Sequence, residues 1–276
     1  MPTDPTDRPS RRSGADWLVP ITLVATVAVN GLANALRFGG QTTGSVSARY
    51  PTLLTPAGYA FSIWSVIYLG LLAFSVYALS RSARPLPAWP RIRAAFIVSN
   101  LCNGLWIVVW HHRLIALSAV VIVVLLASVL VIYRSLDDVR PRPTPGQRFW
   151  VLVPFSLYAA WLSVATILNI TVALRAFGFD GGPLSPEAWA IALMGVAAAL
   201  ALVVALPRRD AAWLFVVAWA LAAIGVARGD HPTLRLVSGV LAGGLAVVAL
   251  VVIALLALAP RRRDSPAEGA SGSAPR

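Results

Sequence analysis

The sequence predicts an all-α integral membrane protein of eight transmembrane helices. Three observations carry that prediction. Hydrophobic residues make up 58% of the 276 residues and charged residues only 12%, with a mean hydropathy of +0.75. A soluble globular chain carries roughly 25% charged residues. So few polar groups cannot cover a water-facing surface, which excludes a soluble enzyme, a secreted disulfide scaffold and a disordered protein. The apolar residues fall in runs of spanning length separated by Pro, Gly and Arg. The basic residues alternate from loop to loop, as bilayer orientation demands.

A helix needs about 20 apolar residues to cross a hydrocarbon core of roughly 30 Å. Such runs lie at 17–36, 57–79, 94–111, 114–133, 149–173, 187–206, 211–227 and 235–259, none with an internal Asp, Glu or Lys. The first follows Arg11 and Arg12 and ends near Ala33-Asn34-Ala35, the outline of a signal peptide. It is too long for a typical apolar h-region and carries polar residues at helical spacing, so it reads as a retained first helix. Pro51 and Pro56 precede the second span, and Pro85–Pro90 the third. The turn His111-His112-Arg113 separates the third from the fourth, and Pro141–Pro145 introduces the fifth. Gly181–Pro186 leads to the sixth, with Ser185-Pro186 placed as N-cap and first-turn pair. Pro207 and Pro232 precede the last two. The tail beyond Pro260 is polar and small, a composition that stays disordered. The chain therefore divides into a tail at 1–16, a bundle at 17–175, an extension at 183–260 and a tail at 261–276.

Eight spans put both termini on one side. That side holds 17 Arg: Arg8, Arg11, Arg12, Arg81, Arg84, Arg91, Arg93, Arg134, Arg140, Arg142, Arg148, Arg208, Arg209, Arg261, Arg262, Arg263 and Arg276. The other side holds 6: Arg37, Arg49, Arg113, Arg175, Arg228 and Arg235. The positive-inside rule then places both termini in the cytoplasm, and the expected location is a bacterial cell membrane. The net charge of +12 is accounted for by this pattern, and no nucleic-acid partner is expected. The single Cys102 lies in an apolar run and has no partner for an internal disulfide.

Polar and aromatic residues crowd into the first five spans. All five Asn, all six Tyr and seven of ten Trp precede residue 173, while the last three spans are mostly Ala, Val, Leu and Gly. An Asn in hydrocarbon is costly unless hydrogen-bonded. The first five helices are thus expected to enclose a polar-lined interior, with the last three as an apolar appendage. At about 100° per residue the polar and aromatic groups form stripes. Thr22, Thr26, Asn30 and Asn34 share a face of the first helix. Phe61, Trp64 and Tyr68 share one on the second, and Asn103, Trp106 and Trp110 on the third. Tyr158, Trp161, Ala165 and Asn169 share one on the fifth. Interfacial anchoring suits Trp17, Trp150 and a loop Trp89, but not Trp64, Trp106 and Trp161, which sit well inside their spans. Two readings of the stripes stay open, hydrogen-bonded glue between helices and a pocket whose aromatic walls and few amides suit a flat, mostly apolar ligand.

Three segments resemble the TspO/MBR family, the tryptophan-rich sensory or translocator proteins. Thr55-Pro56-Ala57-Gly58-Tyr59-Ala60-Phe61-Ser62-Ile63-Trp64-Ser65-Val66-Ile67-Tyr68 is similar to the family's proline-led entry to helix two. Asn103-Gly104-Leu105-Trp106, with Trp110, resembles helix three. Pro154-Phe155-Ser156-Leu157-Tyr158-Ala159-Ala160-Trp161, continuing to Ala165, Leu168 and Asn169, resembles helix five. The likeness covers about residues 17–175. It implies a five-helix bundle with a cavity that takes porphyrins or haem-related tetrapyrroles; the last three spans lie outside that fold, as in a longer variant with three additional helices. Ligand-binding positions carried over are Trp64, Asn103, Trp106, Trp161 and Ala165, with Phe61, Tyr68, Trp110 and Tyr158 beside them and Asn30, Asn34 and Asn169 as the polar stripe. Tyr50, Pro56 and Tyr59 would form the lid and entry. Tyr59 stands where the family often has Trp, and Ala173-Leu174-Arg175 lacks the Tyr of the sterol motif. Leu72, Tyr77 and Arg81 fit only a loose sterol pattern, so sterol binding is not expected.

No Ser-His-Asp set, paired carboxylate, H-E-x-x-H or phosphate loop is present, so catalytic and metal residues are assigned to none. His111 and His112 point about 100° apart on a helix and lack a carboxylate or Cys at ligand spacing. His231 reads as loop, and Asp137 and Asp138 as solvated. Without internal ionisable groups a coupled pump is disfavoured. The expected function is sensor-like binding of a porphyrin or related hydrophobic tetrapyrrole, with no obligatory cofactor. The alternatives are a permease for a hydrophobic molecule and a scaffold docking a larger complex, with room for a homodimer. For the scaffold, Gly239 and Gly243 would form a close-approach pair, and deleting 183–276 would spare binding.

Overall fold

The computed structural model describes residues 13–80, 86 and 88–258. The tail at 1–16 lies largely, and the tail at 261–276 and Arg81 wholly, outside them. The protein is all-α. The helices are α1 (Leu18–Ala35), α2 (Thr43–Arg49), α3 (Ile63–Ala78), α4 (Trp89–His111), α5 (Ile115–Ser135), α6 (Pro145–Gln147), α7 (Val153–Ala176), α8 (Pro186–Ala205), α9 (Ala211–Ala227) and α10 (Pro232–Leu258). Among the described residues, seven helical segments are long and apolar enough to cross a membrane, and the shorter α9 is apolar over 17 residues. Their outer faces present large aliphatic side chains such as Leu69, Val76, Leu101 and Val203, which belong in a lipid environment.

Local chemistry sets the helix ends. Ser185 caps α8 as expected, its hydroxyl accepting from Ala188 N at 3.1 Å, with Pro186 as first helical residue. Thr42 and Ser45 form a reciprocal capping box at α2, and Thr144 with Gln147 does so at α6. A π-helical turn, Arg148–Leu152, joins α6 to α7 just before Pro154, which cannot donate to a helical bond. Pro154 then packs against Gly70 of α3, where an added Cβ would lie 3.1 Å from the proline ring.

Five helices close a ring in the order α1, α4, α5, α7, α3. The α1 stripe is largely glue. Thr26 donates to Asn100 O at 2.8 Å, Asn100 Nδ2 to Thr22 Oγ1 at 3.2 Å, and Asn30 Nδ2 to Asn103 Oδ1 at 2.9 Å. Trp89 begins α4 rather than lying in a loop. Its indole donates to Asp16 at 3.1 Å, and Arg93 pairs with the same carboxylate at 2.7 Å.

The last three helices are no appendage. α9 packs on α7 and on the 3-10 turn Gly58–Ser62 that leads into α3, and α8 and α10 pack on α9. The close approach to α10 comes from Ser238 seated against Gly225, whereas an added Cβ at Gly239 or Gly243 would meet nothing within 4 Å. At the α8–α9 turn, Asp210 caps α9 through Trp213 N at 3.2 Å. It also accepts from Tyr133 at 2.7 Å, from Ser156, and from Arg140 at 3.3 Å. Asp137, expected to be solvated, is gripped by Arg208 through two bonds of 2.8 and 2.7 Å. That carboxylate raises the Arg208 pKa above its ordinary value. Arg140 lies over the Tyr133 ring, 4.2 Å from its centroid. This cluster ties α5 and α7 to the α8–α9 turn.

Candidate functional site: an aromatic slot between the ring and the last helices

The indoles and amides of the ring converge. Trp64 stacks on Tyr68 with centroids 5.4 Å apart, and meets Tyr158 at 6.0 Å and Trp161 at 6.3 Å edge-on. Phe61 meets Trp161 edge-on at 6.2 Å. Trp106 stacks on Trp110 at 5.5 Å. Beneath them Asn103 is a satisfied hub: Oδ1 accepts from Asn30 and from Tyr68 at 3.0 Å, and Nδ2 donates to Tyr158 at 3.0 Å. A planar amide that serves three partners fixes the rings that lean on Trp64.

Most of these rings border a narrow slot of about 50 Å³. Phe61, Trp64, Trp106, Trp110, Trp161, Ala165, Asn169 and Pro56 line it, all named from the sequence. The opposite wall is Leu193, Met194 and Ala197 of α8 with Ala220, Leu221 and Ile224 of α9. Sequence reasoning missed that wall. Its only signal was the i, i+3, i+4 spacing of small and aliphatic residues, which a lipid-facing helix shares. Thr43, Ser47 and Leu54, from α2 and the segment after it, close the end.

The slot is apolar but carries unused donors. Trp106 Nε1, Trp161 Nε1, Asn169 Nδ2 and Ser47 Oγ are buried without a hydrogen-bond partner among the described residues. Asn169 Oδ1 by contrast accepts from Ser118 at 3.3 Å. A buried donor left unpaired costs about 1–3 kcal/mol. Chemically the slot is a wall of indoles facing aliphatic side chains, with several donors around it.

Two larger chambers adjoin it. A groove of about 440 Å³ between α1 and α3 is lined by Asn30, Asn34, Gly31 and Tyr68, and shares Thr43, Phe61, Trp64 and Trp106 with the slot. A vestibule of about 580 Å³ lies among the loops at the far end of α7 and α9, with Arg175, Trp189, Arg228 and His231 in its wall.

Other expected site residues stand apart from the slot. Asn103 and Tyr158 are buried behind it and act through their neighbours. Tyr59 is partly exposed and packs edge-on against Trp219 at 5.1 Å. Tyr50 ends α2, half-buried, and packs on the core without reaching the slot. Asn34 ties the entry segment, accepting from Thr43 Oγ1 at 3.1 Å. His111, the last residue of α4 before the turn, is buried with Nε2 3.1 Å from Thr43 Oγ1. Trp110 donates to Thr43 O at 3.1 Å, so the end of α4 holds the start of α2.

Fold and site together define a polytopic helical membrane protein with an aromatic-lined interior of TspO type. The family model described as TSPO-like protein matches residues 16–254, and the chain belongs to that family. The match continues through α8, α9 and most of α10, past the segment 17–175 on which the sequence motifs rest. Membership makes this a membrane protein of the sensor or receptor type. No curated protein and no solved structure matches the chain.

Proposed function

We propose that the protein binds a porphyrin or related hydrophobic tetrapyrrole with its macrocycle against the indoles of the slot. The reading rests above all on the unpaired donors of Trp106, Trp161 and Asn169 around an otherwise apolar, indole-walled space. A flat ring with peripheral or central acceptors stacks on the indoles and recovers the missing hydrogen bonds. The slot at about 50 Å³ is far smaller than the roughly 300–1,000 Å³ of an ordinary ligand pocket. Entry of a macrocycle therefore requires its walls to part toward the vestibule or groove. On this reading both termini and the α8–α9 turn face the cytoplasm, α9 is the seventh of eight crossings, and ligand occupancy changes contacts at the membrane surface. Protoporphyrin IX titrated into the detergent-solubilised full chain should quench tryptophan fluorescence saturably. Trp106→Phe and Trp161→Phe, which delete only the N–H group and one ring, should each weaken binding about fivefold to tenfold. Unchanged affinity in both would reject the site.

A second reading is supported by one observation. Vestibule, slot and groove share lining residues in series, outlining a path from the loop end to the α1–α3 seam. That favours passage of a hydrophobic molecule. Porphyrin flux into liposomes containing the protein, beyond that of empty vesicles, would support it, and equal flux would exclude it.

A further inference from the structure

The vestibule and the slot share two lining residues, Ser47 and Leu54. Leu54 is 6% exposed and sits in the irregular segment between α2 and the turn Gly58–Ser62. A segment without helical bonds depends on outside partners for its carbonyls. Here one side chain supplies them. Arg228, at the end of α9, donates from Nε to Leu53 O at 3.1 Å, and from Nη2 to Thr52 O at 3.1 Å and Thr55 O at 3.0 Å. These carbonyls flank Leu54 on both sides. Two more bonds from α9 fasten the same stretch: Ala57 N donates to Ala223 O at 3.0 Å, and Trp219 Nε1 to Ala60 O at 3.3 Å. The guanidinium fork suits this task, since its planar donors reach several carbonyls at fixed angles where an ammonium offers a single point of charge.

We propose that Leu54 is a gate between vestibule and slot, and that Arg228 is the latch that holds it shut. The last three helices then do more than wall the slot: α9 controls entry to it. A ligand arriving in the vestibule reaches the indoles when the Arg228 bonds release and the segment 52–55 swings Leu54 aside. The idea rests on the slot being a ligand site, but its test needs no ligand.

The test uses the full chain with Cys102→Ala, carrying either Ala197→Cys in the slot or Ala48→Cys in the vestibule. Each is labelled with the water-soluble thiol reagent 2-(trimethylammonium)ethyl methanethiosulfonate. Leu54→Ala and Arg228→Gln should each speed labelling at the slot cysteine about tenfold or more, equivalent to about 1.4 kcal/mol off the closed state. Labelling at the vestibule cysteine should stay within about twofold, which also controls for the lost charge of Arg228. Leu54→Ala alters no charge and carries the test alone where Arg228→Gln fails to fold. An unchanged slot rate in Leu54→Ala, or equal acceleration at both cysteines, would overturn the gate. Accelerated slot labelling in a protein that fails to bind protoporphyrin IX would keep the gate and remove the ligand assignment.

Discussion

Two side chains a single turn apart on α4 carry opposite kinds of information. Asn103 has three partners and Trp106 Nε1 has none among the described residues. Asn103→Leu strands the buried Tyr158 hydroxyl, at about 1–3 kcal/mol, and takes a partner from the Tyr68 hydroxyl and from Asn30, whose Nδ2 keeps its bond to Thr26 O. Thermal unfolding in detergent should show a clear loss of stability. Trp106→Phe removes a donor with no partner among the described residues and part of a ring at the slot wall, so its melting should fall less than that of Asn103→Leu while porphyrin affinity falls. If both variants lose stability equally, the Trp106 indole is structural. The indole and amide stripes were legible because residues three and four apart share a helix face, and Phe61, Trp64, Trp106, Trp161, Ala165 and Asn169 do line one slot. Met194 and Ala220 were not legible, because an aliphatic side chain against a cavity and one against lipid look alike in sequence.

Among the elements, the α8–α9 turn shows what periodicity cannot reveal. Proline, glycine and capping residues placed most helix boundaries to within about four residues, although α3 begins six residues after its expected start and α4 five before. Nothing local, however, says that Asp137 meets Arg208 across 71 positions, or that Asp210 gathers Tyr133, Ser156 and Arg140. Breaking a buried pair by neutralising one member costs about 3–5 kcal/mol, because the other charge is left uncompensated. Asp210→Asn should therefore lower the unfolding midpoint sharply. Arg208→Gln, at the more exposed end of the cluster, should cost about 1 kcal/mol or less. A reversed order would mean that the cluster is anchored from its outer rim.

For the whole molecule, the distribution of Asn and Trp suggested a functional bundle with an apolar extension, and the three-dimensional arrangement joins the two. One wall of the slot and the fastening of its entrance both come from α8 and α9. A chain ending at residue 182 should lose porphyrin binding even where the ring still folds, because the indoles would then face lipid across an open side. Retention of wild-type affinity by that truncation would restore the separable extension.

The central claim is that a ligand occupies the space between the indoles of the ring and the small residues of α8. Ala197→Leu puts branched carbon into that space from the wall opposite the indoles and leaves every aromatic and amide in place. Equilibrium titration of the full chain with protoporphyrin IX should then give an affinity about tenfold or more below wild type, with the unfolding midpoint nearly unmoved. Wild-type affinity in a stably folded Ala197→Leu protein would contradict the account.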